Sequence, residues 1–216
     1  MTIRRATNDD WPAIWPFFDA TVKAGETYAF PMDLTIETGR AWWMHQPPGE
    51  TVVLQEDGAI LGSANMGPNR SGHGDHIGTA SFMVAPEARG RGVGRSLGEY
   101  VMQWHRDRGF HGIQFNAVVE TNGAAVHLWR SLGFHIIGTV PRAFRSPTNG
   151  YVGLHVDVPR TLSSSGSTAR PPGRPDLACH KGSLGGDVGI GVAKHQLATD
   201  PEGIAACPIL LKRAEV

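Results

Sequence analysis

Ala80-Ser81-Phe82-Met83-Val84-Ala85-Pro86-Glu87-Ala88-Arg89-Gly90-Arg91-Gly92-Val93-Gly94-Arg95-Ser96-Leu97-Gly98 is the stretch on which the reading of this chain turns. The apolar run 82–84 stops at Pro86, which lacks an amide hydrogen and cannot carry a sheet ladder onward. Gly90, Gly92 and Gly94 follow, interleaved with Arg89, Arg91 and Arg95. Val93, Leu97, Val101 and Trp104 then recur at helical spacing, with Tyr100 on the same flank. The expectation is strand, glycine-arginine turn, helix. Such a turn gathers unpaired backbone N–H groups at the positive end of a helix dipole. Glycines let that backbone approach a bulky anion, and arginines add charge-assisted contacts. The stretch reads as a site for a phosphate or pyrophosphate.

Spacing decides among phosphate ligands. The dinucleotide pattern G-x-G-x-x-G fails, because Arg95 or Leu97 stands where its third glycine belongs. No G-x-x-x-x-G-K-[ST] occurs, so a P-loop is unsupported. Arg89-Gly90-Arg91-Gly92-Val93-Gly94 does fit [Q/R]-x-x-G-x-[G/A], directly after a strand ending in Val-x-Pro. This resembles the acetyl-CoA signature of the GNAT family of N-acetyltransferases. The competing reading is a glycine-rich surface turn with solvated arginines.

A second motif downstream favours the resemblance. Asn122-x-x-Ala125-x-x-Leu128-Trp129-x-x-x-Gly133-Phe134 is similar to the family's N-x-x-A-x-x-L-Y-x-x-x-G-F. With its flanking strands the resemblance covers residues 2 to about 160. It implies an α/β fold, a mixed and mostly antiparallel sheet flanked by helices with a V-shaped cofactor slot. It implies acetyl-CoA as cosubstrate, held by Phe82, Met83 and Val84, by the turn residues Arg89 to Ser96, and by Asn122, Ala125 and Trp129. Backbone N–H groups of residues 91–96 are expected to supply most phosphate contacts, and the edge of strand 82–84 to receive the pantetheine arm. The family's tyrosine, often the acid that reprotonates the CoA thiolate, is here Trp129, whose indole has no titratable proton.

Residues 115–122, Phe-Asn-Ala-Val-Val-Glu-Thr-Asn, resemble the subgroup that acetylates proline analogues and small amino acids. By that resemblance Asn116 faces the acceptor and the thioester. The loop Gly25-Glu26-Thr27-Tyr28 resembles that of phosphinothricin-type acetyltransferases, making Glu26 and Tyr28 candidate pocket residues. The implied activity is direct transfer of acetyl to the amine of a small molecule. Glu26 or Glu120 is the candidate base, since a base must lie within one water of the proton it takes. A non-catalytic CoA-binding regulatory module and a peptide or protein acetyltransferase stay open as alternatives.

The rest of the chain sets the frame. Its 216 residues, 40% apolar and 19% charged, suit one globular domain with an appendage. Lys+Arg and Asp+Glu are both 20, so no net field recruits nucleic acid or an anionic membrane. No apolar run approaches the ~20 residues of a membrane span, and the N-terminus lacks a signal-peptide core. Only Cys179 and Cys207 occur, so no disulfide framework or cysteine metal site is indicated. A cytoplasmic enzyme is the default, with no metal and with a homodimer left open.

Element by element, strands are expected at 2–6, 51–54, 59–66, 77–84, 113–119, 135–140 and 151–158. Helices are expected from about Trp11 to Ala24, Thr35 to His45, the glycine turn to Arg108, and Asn122 to Leu132. Asp57-Gly58 marks a hairpin turn. His73, Asp75 and His76 on a glycine-rich loop read as solvated residues rather than a metal cluster. From 161 to 216 the chain turns Ser/Pro/Gly-rich and is expected to be a disordered tail that the domain 1–160 does not need.

Overall fold

A computed structural model describes residues 1–159, and the segment expected to be a tail lies outside the described residues. Strands β1 (Thr2–Arg5), β2 (Glu50–Glu56), β3 (Ala59–Pro68), β4 (Ile77–Val84) and the short β5 (Gly112–Ile113) form a five-stranded sheet in that order. Its first four strands run antiparallel to their neighbours, and β5 lies parallel to β4. A three-stranded antiparallel sheet follows, in the order β6 (Phe115–Val119), β8 (Gly150–Pro159), β7 (Phe134–Ser146). Helices α1 (Trp11–Ala24), α2 (Ile36–Trp43), α3 (Val93–Asp107) and α4 (Gly123–Ser131) complete the fold.

The main core forms where the apolar stripe of α3 meets β2, β3 and β4. Val93, Leu97, Val101 and Trp104 are at most 4% exposed, beside Val52, Leu54 and Ala64. α3 lies close because Gly62 has no side chain: a Cβ there would fall 2.8 Å from Val93 and 3.2 Å from Leu97. On the other side of the sheet, α1 brings Ile14, Phe17 and Phe18 onto Trp43 and the β-strands. Trp43 is anchored by an indole N–H bond to Ser63 Oγ at 2.9 Å, and Ser63 in turn donates to the Val52 carbonyl.

The expected strand 113–119 divides. Ile113 stays with β4, Gln114 donates its N–H to Gly78, and from Phe115 onward the chain pairs with β8 instead. This is the split that the resemblance implied. α4 bridges the two halves. Leu128 and Leu132 pack over Gly94 and Gly98 of α3, where a Cβ would lie 3.2 Å and 2.6 Å away, and Trp129 joins Phe115 and Phe134 below.

Strand β7 is longer than the expected 135–140. It continues through Pro141 to Ser146 because the three residues 141–143 bulge out between the pairs Val140↔Leu154 and Phe144↔Val152. Arg142 takes a left-handed φ of 54° in that bulge. Proline is tolerated there because β7 is an edge strand and a bulge needs no ladder bond from its amide. The first helix also starts differently. Asn8–Asp10 is a short 3-10 turn, and Asp10 caps Thr7 N–H at 2.7 Å and pairs bidentately with Arg4. That pairing holds the Asp10 carboxyl well below its ordinary range, at about 2.

Candidate active site

The glycine turn is built as its sequence demands. Gly92 caps α3 with φ 79°, a left-handed conformation that a side chain would strain. Within residues 91–96 the backbone groups divide. Arg91 N–H is taken by the Ala88 carbonyl and Ser96 N–H by the Gly92 carbonyl. The N–H groups of Gly92, Val93, Gly94 and Arg95 are left at the start of the helix, a narrower set than the expected 91–96. The arginines also separate. Arg91 pairs with Glu56, and Arg95 reaches Ser131 Oγ at 2.7 Å and Glu99, bracing α3 against α4. Arg89 is exposed and has no acidic partner among the described residues.

Upstream of the turn, β4 presents an open edge. Ala85 N–H bonds the Leu61 carbonyl, so odd-numbered residues of β4 face β3 and even-numbered ones face the split. β5 covers that edge only as far as Gly78. At Phe82 the gap is bridged by one side chain. Tyr28 Oη accepts the Phe82 N–H at 3.0 Å and donates to the Phe82 carbonyl at 2.7 Å. The Tyr28 ring stacks on Phe30 at 4.9 Å and meets Trp43 edge-on at 6.1 Å. Burial pushes its phenol pKa well above the ordinary value. On the opposite side, the Phe82 ring packs on Trp129 at 4.6 Å, which itself packs on Phe115.

Beyond the split stands a cluster of amides. Asn116 Nδ2 donates to Asn69 Oδ1 at 2.6 Å, and Gln114 Nε2 donates to Asn116 Oδ1 at 2.9 Å. Phe115 points toward Trp129, so its neighbour Asn116 points to the other face of β6. Arg70 folds back on Asn69, with Nη1 2.9 Å from its carbonyl and 3.2 Å from its side-chain oxygen.

The two candidate carboxylates sit apart in character. Glu26 is tied to the tip of the β7–β8 hairpin, accepting from Ser146 Oγ at 2.5 Å and from Thr148 N and Oγ1. Those bonds, Ser146 first, hold its pKa below the ordinary value. Glu120 is exposed at the end of β6, where Oε1 accepts the Gly153 N–H at 2.6 Å. Asn122 caps α4 by accepting the Ala125 N–H at 3.1 Å. Among the described residues no group of three or more His, Cys, Asp or Glu side chains stands close enough to hold a metal, and no helix is long and apolar enough to cross a membrane.

Residues 5–134 match the model of the Acetyltransferase (GNAT) family. The chain belongs to that family. Acetyl transfer is accordingly its class of reaction. It is 31% identical to the L-amino acid N-acyltransferase MnaT of Escherichia coli, over 66% of this chain and 84% of that one. It is also 31% identical to an L-methionine sulfoximine/L-methionine sulfone acetyltransferase of Pseudomonas aeruginosa, over 65% and 84%. Of a further relative, the fission-yeast N-acetyltransferase aca1, it spans about half, 53%. Among solved structures, a GCN5-related N-acetyltransferase from Kribbella flavida shares 57% identity and a TM-score of 0.70, over 73% of this chain and 95% of that one.

As a GNAT chain it departs at one place in the second motif. Trp129 is 6% exposed and belongs to the ring cluster under the split. The residues that sequence reasoning passed over are Asn69 and Gln114, and the link between Tyr28 and Phe82. Asn69 lies 47 positions from Asn116, and Tyr28 lies 54 from Phe82. No local period reports pairs that distant. The one available signal was a second asparagine in the loop after β3.

Proposed function

We propose that the chain, through residues 1–160, moves acetyl from acetyl-CoA to the amine of a small molecule bearing a carboxylate, an amino acid or an analogue of one. The observation that carries this is the open edge of β4, leading into the free N–H groups at the start of α3. A pantetheine arm carries amides that can pair with such an edge as an added strand does. The pyrophosphate then meets the N–H groups of Gly92, Val93, Gly94 and Arg95, where the helix dipole favours an anion. Arg89 adds a charged contact, while Gly90, Arg91 and Ser96 shape the turn. Val84 continues the arm's path beside Phe82, while Met83, paired with β3 and 3% exposed, backs the strand from within instead of lining the edge as expected. Asn122 and Ala125, at the start of α4, flank it.

For the acceptor, Asn116 with Asn69 and Gln114 offers amide groups suited to a carboxylate, and Tyr28 closes the opposite wall. The names of the Escherichia coli and Pseudomonas relatives, which act on L-amino acids and on methionine sulfoximine, support an acceptor of that kind. The attacking amine must first lose its proton. Glu26, already holding three hydrogen bonds with a depressed pKa, fits the role of fixing the loop to the hairpin. Glu120 is the better base, because its Oε2 has no hydrogen-bond partner among the described residues. Trp129 supplies no proton, so the departing thiolate takes one from water.

The test is a panel of amino acids, their methyl esters and lysine peptides, with thiol release as readout. A free amino acid should turn over with kcat/KM at least tenfold above that of its ester. Binding of acetyl-CoA without turnover of any amine would instead leave a CoA-binding module. Turnover of peptides alone would leave a peptide acetyltransferase.

A further inference from the structure

We propose that Tyr28 is a second hydrogen-bond donor to the carbonyl oxygen of the acetyl thioester, acting beside the Phe82 N–H. The proposal rests on the acetyl-CoA reading above and assigns a group in the reacting part of that site. Along the open edge, outward-facing positions recur every second residue, ~6.7 Å apart. Counting back from the turn, Val84 comes first and Phe82 second. An arm entering from the pyrophosphate end therefore brings its acyl end toward the Phe82 pair.

At that pair an oxygen is already in place. Tyr28 Oη lies 3.0 Å from Phe82 N, within the range an acceptor carbonyl oxygen would adopt. An incoming carbonyl takes this N–H and displaces Oη from it. The phenol keeps its own proton, and its ring is held by Phe30 and Trp43. A small shift then turns the O–H from the Phe82 carbonyl to the newcomer. The loop that carries Tyr28 is fixed two residues earlier, where Glu26 grips Ser146 and Thr148. Trp129 backs the Phe82 ring from the far side, so the edge has little freedom to retreat.

The chemistry needs a neutral donor. Burial of the phenol raises its pKa, so Tyr28 gives a hydrogen bond without giving up its proton. As the amine's electron pair forms the C–N bond, the carbonyl π pair moves to oxygen. The Phe82 N–H and Tyr28 O–H receive that charge. When the pair returns, the C–S bond breaks and its electrons leave with sulfur. The amine's surplus proton goes to Glu120 or water, and the thiolate takes a proton from water. Donors aimed at developing charge in a dry site act strongly, and losing one from an oxyanion hole lowers kcat by about 10²–10³-fold.

The test follows the carbonyl itself. Infrared difference spectra of acetyl-CoA labelled with carbon-13 at the carbonyl report hydrogen bonding as a shift to lower frequency. Tyr28→Phe should move the bound band back up and lower kcat about 100-fold, with the acetyl-CoA Kd within threefold. Replacing the chain's 3 tyrosines with 3-fluorotyrosine keeps the packing and makes a stronger donor, so the band should move further down. This second arm applies even if Tyr28→Phe fails to fold. A band unmoved by the fluorotyrosine, or a folded Tyr28→Phe enzyme with kcat within twofold of wild type, overturns the proposal. Failure of wild-type protein to bind acetyl-CoA in calorimetry overturns the acetyl-CoA reading first, and this proposal with it.

Discussion

Along residues 77–107 the apolar stripe of α3 is buried to 4% exposure or less, whereas the hairpin 134–159 leaves Ile137 58%, Val140 48% and Tyr151 59% exposed. The first region is fixed by packing. α3 is pressed onto β3 and β4 on one side and touched by α4 on the other. The second is fixed mainly by its ladder with β6 and by contacts at its tip, where Glu26 reaches Ser146 and Thr148. Under the proposed function this contrast is a division of labour: a packed arm for the donor and a tethered hairpin beside the acceptor. Substitutions in the two regions should then fail in different ways.

The largest effect is expected at Gly92. Gly92→Val crowds the N–H groups of the turn and forces a β-branched residue into a left-handed φ. Its acetyl-CoA affinity should fall more than 100-fold, beyond the ~1.5–3 kcal/mol of any one charged contact. The added strain costs about 1–2 kcal/mol of stability. Titration calorimetry beside thermal melts separates the two. Leu97→Ala tests the other half of the arm. It should lose about 2–5 kcal/mol of stability, while folded protein still binds acetyl-CoA within threefold. Equal loss of binding in both variants would erase the distinction between turn and core.

A third effect comes from His105, fully buried on α3 under β4. Its Nδ1 donates to the Val101 carbonyl at 2.8 Å, which leaves Nε2 without a partner. Burial lowers its pKa to about 4. The native state therefore favours the neutral ring, while the unfolded chain takes up a proton near pH 6.5. Stability is full above pH 6.5 and is lost as pH falls toward 4. The gap converts to about 3 kcal/mol. Urea melts at pH 7 and pH 4.5 check this, and His105→Leu should flatten the profile.

The smallest effect on stability is expected in the hairpin. Glu26→Gln weakens exposed and half-buried bonds at the tip, so the melting temperature should move by no more than a few degrees. KM for the amine should nonetheless rise severalfold while the acetyl-CoA Kd stays unchanged. A rise in the acetyl-CoA Kd as large as that in the amine KM would break the division between the two regions.

How much of this was legible in the sequence follows the same contrast. Strand, turn and α3 were readable because Phe82 to Trp104 combine a period, a proline stop and spaced glycines within one short stretch. The start of α4 at Asn122 was readable for the same local reason. The hairpin was less so. Pro141 hid the continuation of β7, since only the bulge opposite Gly153 makes a proline acceptable there. Of the candidate site, only the locally patterned part was legible. Asn116 was singled out through its motif, but its hydrogen bonds to Asn69 and Gln114 arise only through folding. Tyr28 was placed in the pocket, yet its bond to Phe82 depends on where β5 stops covering β4.

That last bond also bears on solubility. A strand edge with outward N–H and C=O groups and no neighbour is a template on which another chain can pair. The split in this fold creates such an edge, and the proposed docking of the cofactor arm requires that no strand, proline or charge cover it. Tyr28 meets the difficulty with one atom that serves as acceptor and donor at once, at Phe82. A protein lacking that hydroxyl should show more concentration-dependent association in the absence of ligand, and acetyl-CoA should suppress it by occupying the same edge.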